Sequence, residues 1–206
     1  MSLAEAPLRR LGVFGGAFDP PHLAHRALAQ VALDQLALDR LLVVPTGVAW
    51  HKRRPLSEAV HRVAMARLAF DGMSGVQVDT REVERAGPSY TVDTLRALRL
   101  QHAQAQLYLV IGQDQAQALP GWHAWEEIVA LAVIAVAGRG AAHAGAAPAW
   151  QPPDALRARF VQLQLPPFDL SATDIRRRAG LGESVEPLVG GPVARYIALH
   201  RLYQTS

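Results

Sequence analysis

Short apolar runs alternate with longer segments of helical periodicity along almost the whole chain, and this alternation constrains the fold most. The runs that predict strands are Leu11–Phe14, Leu41–Val44, Val76–Val83, Leu107–Ile111, Val133–Ala137 and Phe160–Leu165. The segments that predict helices are Leu23–Leu38, Glu58–Phe70, Ser89–His102, Trp122–Ala130, Ser171–Ala179 and Pro192–Tyr203. Strands that alternate with helices in this way form a parallel sheet with helices on both faces. The sequence therefore predicts an α/β fold built on a doubly wound, Rossmann-like parallel sheet.

Length and composition narrow this prediction further. With 206 residues, half of them hydrophobic and 19% charged, we expect one domain over residues 1–206, with a small helical subregion over about 171–206. The absence of cysteine excludes a disulfide scaffold, a thiolate metal site and a cysteine nucleophile. The longest apolar run, Ile128–Ala137, is too short to cross a membrane. Together with an N-terminal apolar run too short for a signal peptide, this predicts a cytoplasmic protein without a membrane partner.

Charge favours small anionic ligands over nucleic acid. The net charge of +3 is mild, and no basic and aromatic residues cluster on one predicted face, so we expect no nucleic-acid partner. Among the 21 basic residues, Lys52 is the one lysine, so the chain uses arginine wherever it needs only a cation. Codon bias is an alternative explanation for the near absence of lysine, but the position of Lys52 in the loop after the second predicted strand favours a functional role for this residue.

A glycine- and histidine-containing segment follows the first predicted strand and opens the first predicted helix. It runs from Gly15 through Gly16, Ala17 and Phe18 to His22 and His25. Glycines let backbone N–H groups approach an anion, and the helix N-terminus adds partial positive charge. Two histidines three residues apart share one helix face. The segment predicts a phosphate site with two imidazole donors; structural histidines or a metal site are the alternatives, although no further His or Cys lies in the same loop.

Two further segments carry candidate phosphate ligands. Ser171, Thr173 and Arg176 lie at the start of a late helix, where Ser171 with Asp174 is typical of an N-terminal capping pair. Lys52 lies in the loop after the second predicted strand, and a lysine is a compact charge suited to a phosphate. Taken alone, the first is also typical of an ordinary capped helix and the second of a solvated basic turn.

These motifs resemble those of the nucleotidyltransferase superfamily. The first is similar to its Gly-x-Phe-Asp-Pro-x-His-x-Gly-His signature, except that Ala24 replaces the glycine between the histidines. The segment Leu170–Arg176 resembles its Ile-Ser-Ser-Thr-x-Ile-Arg motif, which binds ATP phosphates. The methyl group of Ala24 adds little bulk, so we expect nucleotide binding to survive with a slightly displaced adenine.

One branch of that superfamily resembles this chain over nearly its whole length. Gly87–Leu95, Ile111–Asp114, Leu119–Trp122 and Pro192–Tyr203 are similar to segments of bacterial nicotinate-nucleotide adenylyltransferases. His51 and Lys52 occupy the place of that family's Pro-Pro-His-Lys loop, without the two prolines. The resemblance implies a nicotinate pocket formed by Tyr90, Thr91, Trp122 and His123, with Trp122 on the pyridine ring and Asp114 on a ribose.

The resemblance implies adenylyl transfer from ATP, with Mg²⁺, to nicotinate mononucleotide, giving deamido-NAD and pyrophosphate. It assigns His22, His25, Lys52 and Arg176 to catalysis, and Gly15, Gly16, Ala17, Phe18, Ser171, Thr173 and Asp114 to ATP. No metal ligand is expected from the protein, because the ion accompanies the ATP phosphates. Another acceptor, either nicotinamide mononucleotide or phosphopantetheine, and a non-catalytic nucleotide-binding protein on the same fold are the alternatives.

Overall fold

A computed structural model describes residues 7–47, 56–139 and 151–204. In these ranges six strands form one parallel sheet. They are β1 (Arg10–Gly16), β2 (Arg40–Pro45), β3 (Val76–Val78), β4 (Gln106–Gly112), β5 (Ala132–Arg139) and β6 (Phe160–Leu165), in the spatial order β3-β2-β1-β4-β5-β6. From β1 the chain adds β2 and β3 on one side of the sheet and then β4, β5 and β6 on the other, so the strand order reverses between β1 and β4. In open parallel sheets ligands bind at such a point, outside the carboxyl ends of the strands.

Helices cover both faces of the sheet, as the sequence predicts. They are α1 (Leu23–Leu36), α2 (Ala59–Phe70), α3 (Arg81–Glu84), α4 (Thr91–Gln101), α5 (Gln113–Ala118), α6 (Trp125–Leu131), α7 (Ala172–Gly180), α8 (Glu186–Val189) and α9 (Gly191–Leu199). Short 3₁₀ turns occupy Leu119–Gly121 and Asp154–Arg159. No helix in the described ranges is both long and apolar enough to cross a membrane.

Alternate residues of the strands contribute to two separate cores. On one face Leu11 and Val13 of β1 pack with α4, α5 and α6, whereas Phe14 packs with α1 and α2 on the other face. A third cluster joins α7, α8 and α9 to the main body through Met65 of α2. The alternation follows from the two-residue period of a strand, and burial on both faces explains the continuous apolar runs in the sequence.

Several predicted elements have different boundaries in the structure; the helix predicted over Pro192–Tyr203, for example, ends at Leu199. Local geometry explains two of the differences. The strand predicted over Val76–Val83 ends at Val78, because Asp79 accepts a hydrogen bond from the backbone N–H of Arg81 (2.9 Å) and pairs with its guanidinium, which turns the chain into α3. The helix predicted over Trp122–Ala130 begins only at Trp125, since Ala124 adopts a left-handed backbone conformation (φ 52°).

Candidate active site

A cavity of about 720 Å³ opens where the strand order reverses. Its walls come from the segments that follow β1, β4 and β6, from the end of β5 and from the start of α7. Among the residues predicted for the site, it brings together Gly15, Gly16, Ala17, Phe18, His22, His25, Asp114 and Arg176. Residues from both sequence motifs therefore face one cavity, although they lie at opposite ends of the chain.

The segment after β1 places backbone against the cavity. A side chain at Gly15 would meet no other atom within 4 Å, so the backbone at this position borders open space. At Gly16 an added Cβ would lie 3.0 Å from the ring of Phe18, which is buried beneath the loop with only 2% of its surface exposed. The glycines thus keep the backbone accessible, and Phe18 supports the loop from below.

The two histidines stand together at the N-terminus of α1. Their rings stack with a centroid separation of 3.8 Å, and the His25 ring also contacts Phe18 edge to face at 5.2 Å. The backbone N–H of His22 donates to Nδ1 of His25 (3.1 Å). Nδ1 of His25 must therefore be unprotonated, so its neutral ring carries the proton on Nε2. That Nε2–H is a hydrogen-bond donor that the capping contact leaves available.

Burial keeps both rings neutral. It lowers the pKa of His22 to about 4, and burial followed by the proximity of His22 lowers the pKa of His25 well below its usual value. Nδ1 of His22 is buried and has no hydrogen-bond partner among the residues described. At neutral pH the pair can offer N–H donors to an anion, but it does not supply fixed positive charge.

Positive charge comes from Arg176 in α7. Its guanidinium donates to the backbone carbonyl of Asp19 (2.8 Å) and to the hydroxyl of Thr173 (3.1 Å), which holds it across the cavity from α1. The Ser171 hydroxyl accepts from the backbone N–H of Asp174 (3.1 Å), so the predicted cap by Ser171 is confirmed. The Asp174 carboxylate pairs with Arg177 and Arg178. Ser171 and Thr173 flank the cavity, while the residues of this motif that line it are Leu170, Ala172 and Arg176.

Lys52 and Asp114 are two further predicted ligands. Lys52 and the neighbouring His51 lie outside the described residues. Asp114 lies in the first turn of α5, a helix that the sequence analysis missed because Gln113–Ala118 is short and has no apolar periodicity. The helix begins directly after the carboxyl end of β4, and this places Asp114 in the cavity wall.

The cavity also has an apolar end that the sequence analysis did not identify. Ala24 and Leu28 of α1 line the cavity together with Leu165, the last residue of β6, and with Pro166, Pro167 and Phe168, which follow it. The position of these residues after a strand was the available signal, because the carboxyl ends of parallel strands share one edge of the sheet. Apolar walls with an aromatic ring suit a flat heterocycle.

The residues that line the cavity do not include the four that were predicted to bind nicotinate. Tyr90 and Trp122 pack against the core on the α4 and α6 face of the sheet. The rings of Tyr90 and His123 lie 4.4 Å apart, which brings the start of α4 next to the segment before α6. Thr91 is the first residue of α4, whose N-terminus has no side-chain cap among the described residues.

A bidentate ion pair connects the two helices that carry these residues. Arg96 of α4 donates through Nε (2.7 Å) and Nη2 (2.5 Å) to the two carboxylate oxygens of Glu127 in α6. Both side chains are partly exposed, so the pair contributes modestly to stability. The pair is one of the contacts that join α4 to α6.

The described residues contain no cluster of three or more His, Asp or Glu side chains that could hold a metal ion. The two carboxylates in the cavity wall are Asp19 and Asp114. The Asp19 carboxylate already accepts from Tyr203 and from the backbone N–H of Ser57. This donor set suits a divalent ion whose oxygen ligands come mainly from a bound polyphosphate and water.

Comparison with known proteins agrees with this arrangement. The profile of the cytidylyltransferase-like family matches residues 13–178. The chain is 55% identical over 199 residues to a probable nicotinate-nucleotide adenylyltransferase of Albidiferax ferrireducens, covering 97% of this chain and 100% of that protein. It is 44% identical over 205 residues to the protein of the same name from Methylibium petroleiphilum, with 96% and 94% covered.

The fold is also that of solved structures. The Plasmodium falciparum nicotinic acid mononucleotide adenylyltransferase complexed with NaAD superposes with a TM-score of 0.75 at 17% identity, covering 95% of this chain and 97% of that chain. The same enzyme complexed with APC gives a TM-score of 0.74. At this identity the likeness concerns the fold, whereas the bacterial relatives establish the family. The chain belongs to the cytidylyltransferase-like family and, within it, to the nicotinate-nucleotide adenylyltransferases.

Proposed function

We propose that this chain transfers the adenylyl group of ATP to nicotinate mononucleotide, giving deamido-NAD and pyrophosphate. A phosphate oxygen of the mononucleotide attacks the α-phosphorus of ATP, and the bond from that phosphorus to the bridging oxygen of the β-phosphate breaks. The observation that carries the proposal is the cavity in which His22, His25 and Arg176 meet beside exposed backbone at Gly15. No protein nucleophile is required, so catalysis consists of positioning and stabilisation of charge.

The histidines act as neutral donors. The Nε2–H of His25, fixed by the hydrogen bond to its Nδ1, binds an oxygen of the α-phosphate, and His22 binds the β-phosphate. A neutral donor at a helix N-terminus does not attract the ground-state anion as strongly as a cation would. It therefore contributes most where negative charge on the transferred phosphate increases, in the transition state.

Cations bind the leaving group. Arg176 is held by its hydrogen bonds to Asp19 and Thr173, and its guanidinium presents positive charge to the pyrophosphate. Thr173 positions that guanidinium, and Ser171 fixes the start of α7, whose N-terminus favours an anion. Lys52 supplies a second cation in this proposal, on the basis of the sequence alone.

The remaining predicted residues bind the two nucleosides. Asp114 accepts hydrogen bonds from ribose hydroxyls, and the apolar end at Ala24, Leu28 and Phe168 holds the base of ATP. Tyr90 and Trp122 contact the pyridine ring, while backbone N–H groups at Thr91 and next to His123 bind the nicotinate carboxylate. The uncapped N-terminus of α4 supports this assignment, since it offers donors and partial positive charge to a carboxylate.

Divalent metal enters as part of the substrate, MgATP. Bound Mg²⁺ neutralises charge on the phosphate oxygens of ATP. Because the Asp19 carboxylate is engaged by Tyr203 and Ser57, the oxygen ligands of the ion would come mainly from ATP and water. A location in the cytoplasm, where ATP is available, stays a prediction of the sequence.

An assay with a panel of acceptors tests the reaction. Purified protein is incubated with MgATP and either nicotinate mononucleotide, nicotinamide mononucleotide or phosphopantetheine, and both pyrophosphate and the adenylylated product are quantified. We expect equal amounts of pyrophosphate and deamido-NAD with the nicotinate compound. Turnover with phosphopantetheine alone would identify the other acceptor class, and ATP binding without pyrophosphate release would identify a non-catalytic protein.

A further inference from the structure

A tyrosine near the C-terminal end of the chain contacts the loop that carries the phosphate-binding histidines. Tyr203 follows α9, and its hydroxyl donates to Oδ1 of Asp19 at 2.8 Å. Asp19 lies between Gly16 and His22 and is 2% exposed. The two residues are 184 positions apart, so the contact joins the C-terminal helices directly to the site.

Asp19 connects three parts of the molecule at once. Its second carboxylate oxygen accepts from the backbone N–H of Ser57, ahead of α2 (3.2 Å), and its carbonyl accepts from Arg176 of α7 (2.8 Å). The Ser57 hydroxyl also hydrogen-bonds Tyr203. A displacement of Asp19 would therefore move the histidine loop and the Arg176 guanidinium relative to each other.

A buried arginine supports the same loop from below. Arg62 is 2% exposed, and it donates to the carbonyls of Ala17 (3.1 Å), Thr46 (2.7 Å) and Ser57 (2.9 Å). Burial lowers the pKa of Arg62, and the nearby carboxylate of Asp19 opposes that change. The carboxylate is thus compensated by a cation and by two donors, as a buried charge requires.

Tyr203 itself is held in place. Its backbone is left-handed (φ 71°), and a Cβ added at Gly180, the last residue of α7, would meet its carbonyl oxygen at 2.8 Å. Burial, then the proximity of Asp19, raises the pKa of Tyr203, so its hydroxyl stays protonated and acts as a donor. A ring fixed by close backbone packing can hold the Asp19 carboxylate at one position.

We propose that Tyr203 is a positioning residue for adenylyl transfer, which acts through Asp19 to fix the histidine loop relative to Arg176. The inference rests on the proposed function. Misplacement of catalytic groups by about 1 Å can slow a reaction about a hundredfold. Loss of the Tyr203 hydroxyl should therefore lower kcat, while the nicotinate residues at Tyr90 and Trp122, which pack on a different core, keep their geometry.

Tyr203→Phe is the direct test, because it removes one oxygen and leaves the ring. We expect kcat to fall about tenfold or more, with KM for nicotinate mononucleotide unchanged within about twofold. The matched control is Tyr196→Phe in α9, whose hydroxyl lies 3.0 Å from Nδ1 of His61 in α2 and does not contact the loop. Like Tyr203→Phe, the Tyr196→Phe variant loses a tyrosine hydrogen bond between a residue at the C-terminal helices and the region of α2. We expect its kcat to stay within about twofold of wild type.

A second substitution distinguishes positioning from simple destabilisation. Ser57→Ala removes the hydroxyl that hydrogen-bonds Tyr203 and leaves both the ring and Asp19 intact; we expect a smaller fall in kcat, again without a change in KM for the mononucleotide. Melting temperatures are measured for all three variants. Wild-type kcat in Tyr203→Phe, or equal falls in Tyr203→Phe and Tyr196→Phe, would overturn the positioning role alone. A wild-type chain that forms no deamido-NAD would overturn the proposed function and this role together.

Discussion

At the scale of single residues, His25 has the most specific geometry in the site. Its Nδ1 accepts from the backbone of His22, its ring packs on Phe18, and its remaining nitrogen carries the proton. The sequence predicts two imidazole donors at this helix start. The structure adds that both rings are neutral, which no spacing rule could show, because the cause is their burial in the folded protein.

Replacement of His25 by alanine should lower kcat far more than it weakens ATP binding. Removal of one preorganised donor to a developing anion typically costs about 10²–10³-fold in rate. Steady-state kinetics with saturating nicotinate mononucleotide, combined with calorimetric measurement of ATP binding, separate the two effects. His200→Ala, at an exposed position outside the cavity wall, is the control and should retain wild-type kcat. Near-normal turnover of His25→Ala would remove it from the mechanism.

The lowered pKa of His22 predicts a pH dependence of stability. The folded-state value is about 4, against about 6.5 in the unfolded chain. Between these values the unfolded chain binds more protons, so the free energy of unfolding is at its full value above pH 6.5 and falls as the pH is lowered. We expect His22 to account for about 2–3 kcal/mol of this loss by pH 4.5.

Urea unfolding of wild type and His22→Gln at pH 7.5 and 4.5 measures this contribution. Carboxylates titrate in both proteins, so the difference between the two unfolding free energies isolates the histidine. Between pH 7.5 and pH 4.5 the unfolding free energy of wild type should therefore fall by about 2–3 kcal/mol more than that of His22→Gln. Parallel pH profiles for the two proteins would show that His22 is not buried in its neutral form.

At the scale of helices and strands, four arginines bind the C-terminal ends of helices from neighbouring elements. Arg10 donates to Leu36 in α1 and Arg26 to Ala69 in α2. Arg99 and Arg159 donate to carbonyls at the end of α6. Helix C-termini leave carbonyls without partners and carry partial negative charge. These arginines therefore act as forked donors as well as cations, and a lysine does not reproduce such contacts.

Arg99→Lys tests this use of arginine. The Arg99 guanidinium joins the carbonyl of Ala105 (2.8 Å) to that of Leu131 (3.0 Å), so lysine should leave at least one of them unsatisfied. We expect the free energy of unfolding to fall by about 1–2 kcal/mol. Arg157→Lys is the control, since Arg157 makes an exposed pair with Asp154, and it should change stability by less than about 0.5 kcal/mol. Equal effects of the two substitutions would contradict the interpretation.

The elements that the sequence predicted well are those with a strong apolar period. β6 has the predicted bounds, and the run Ile128–Ala137 divides into the end of α6 and most of β5, as expected. The sequence could not predict α5, which has no apolar stripe, or the early end of β3, which depends on the side chain of Asp79. The bounds of β3 depend on a local hydrogen bond, and α5 depends on its place at the end of β4, so periodicity determines neither element.

At the scale of the whole molecule, the site depends on contacts between distant parts of the chain. The strand order explains why the segments after β1 and β4 meet, because the order reverses between these two strands. The contact between Tyr203 and Asp19 was not predictable, because no periodicity links positions at the two ends of a chain. The two motifs could be assigned to one cavity from the sequence only through their resemblance to a family.

The choice of acceptor tests the central claim. Nicotinate mononucleotide carries a carboxylate where nicotinamide mononucleotide carries an amide. In the proposed complex, N–H donors at the start of α4 and near Trp122 bind the two carboxylate oxygens. An amide would direct its NH₂ at one of those donors, which costs about 1–3 kcal/mol for an unpaired buried group and loses a charge-assisted hydrogen bond.

The most direct measurement is the ratio of kcat/KM for the two mononucleotides, determined with the same enzyme preparation at saturating MgATP. The account predicts that the nicotinate compound is preferred at least about tenfold. Equal values, or a preference for the amide, would contradict the assignment of nicotinate mononucleotide as the substrate while leaving adenylyl transfer in place.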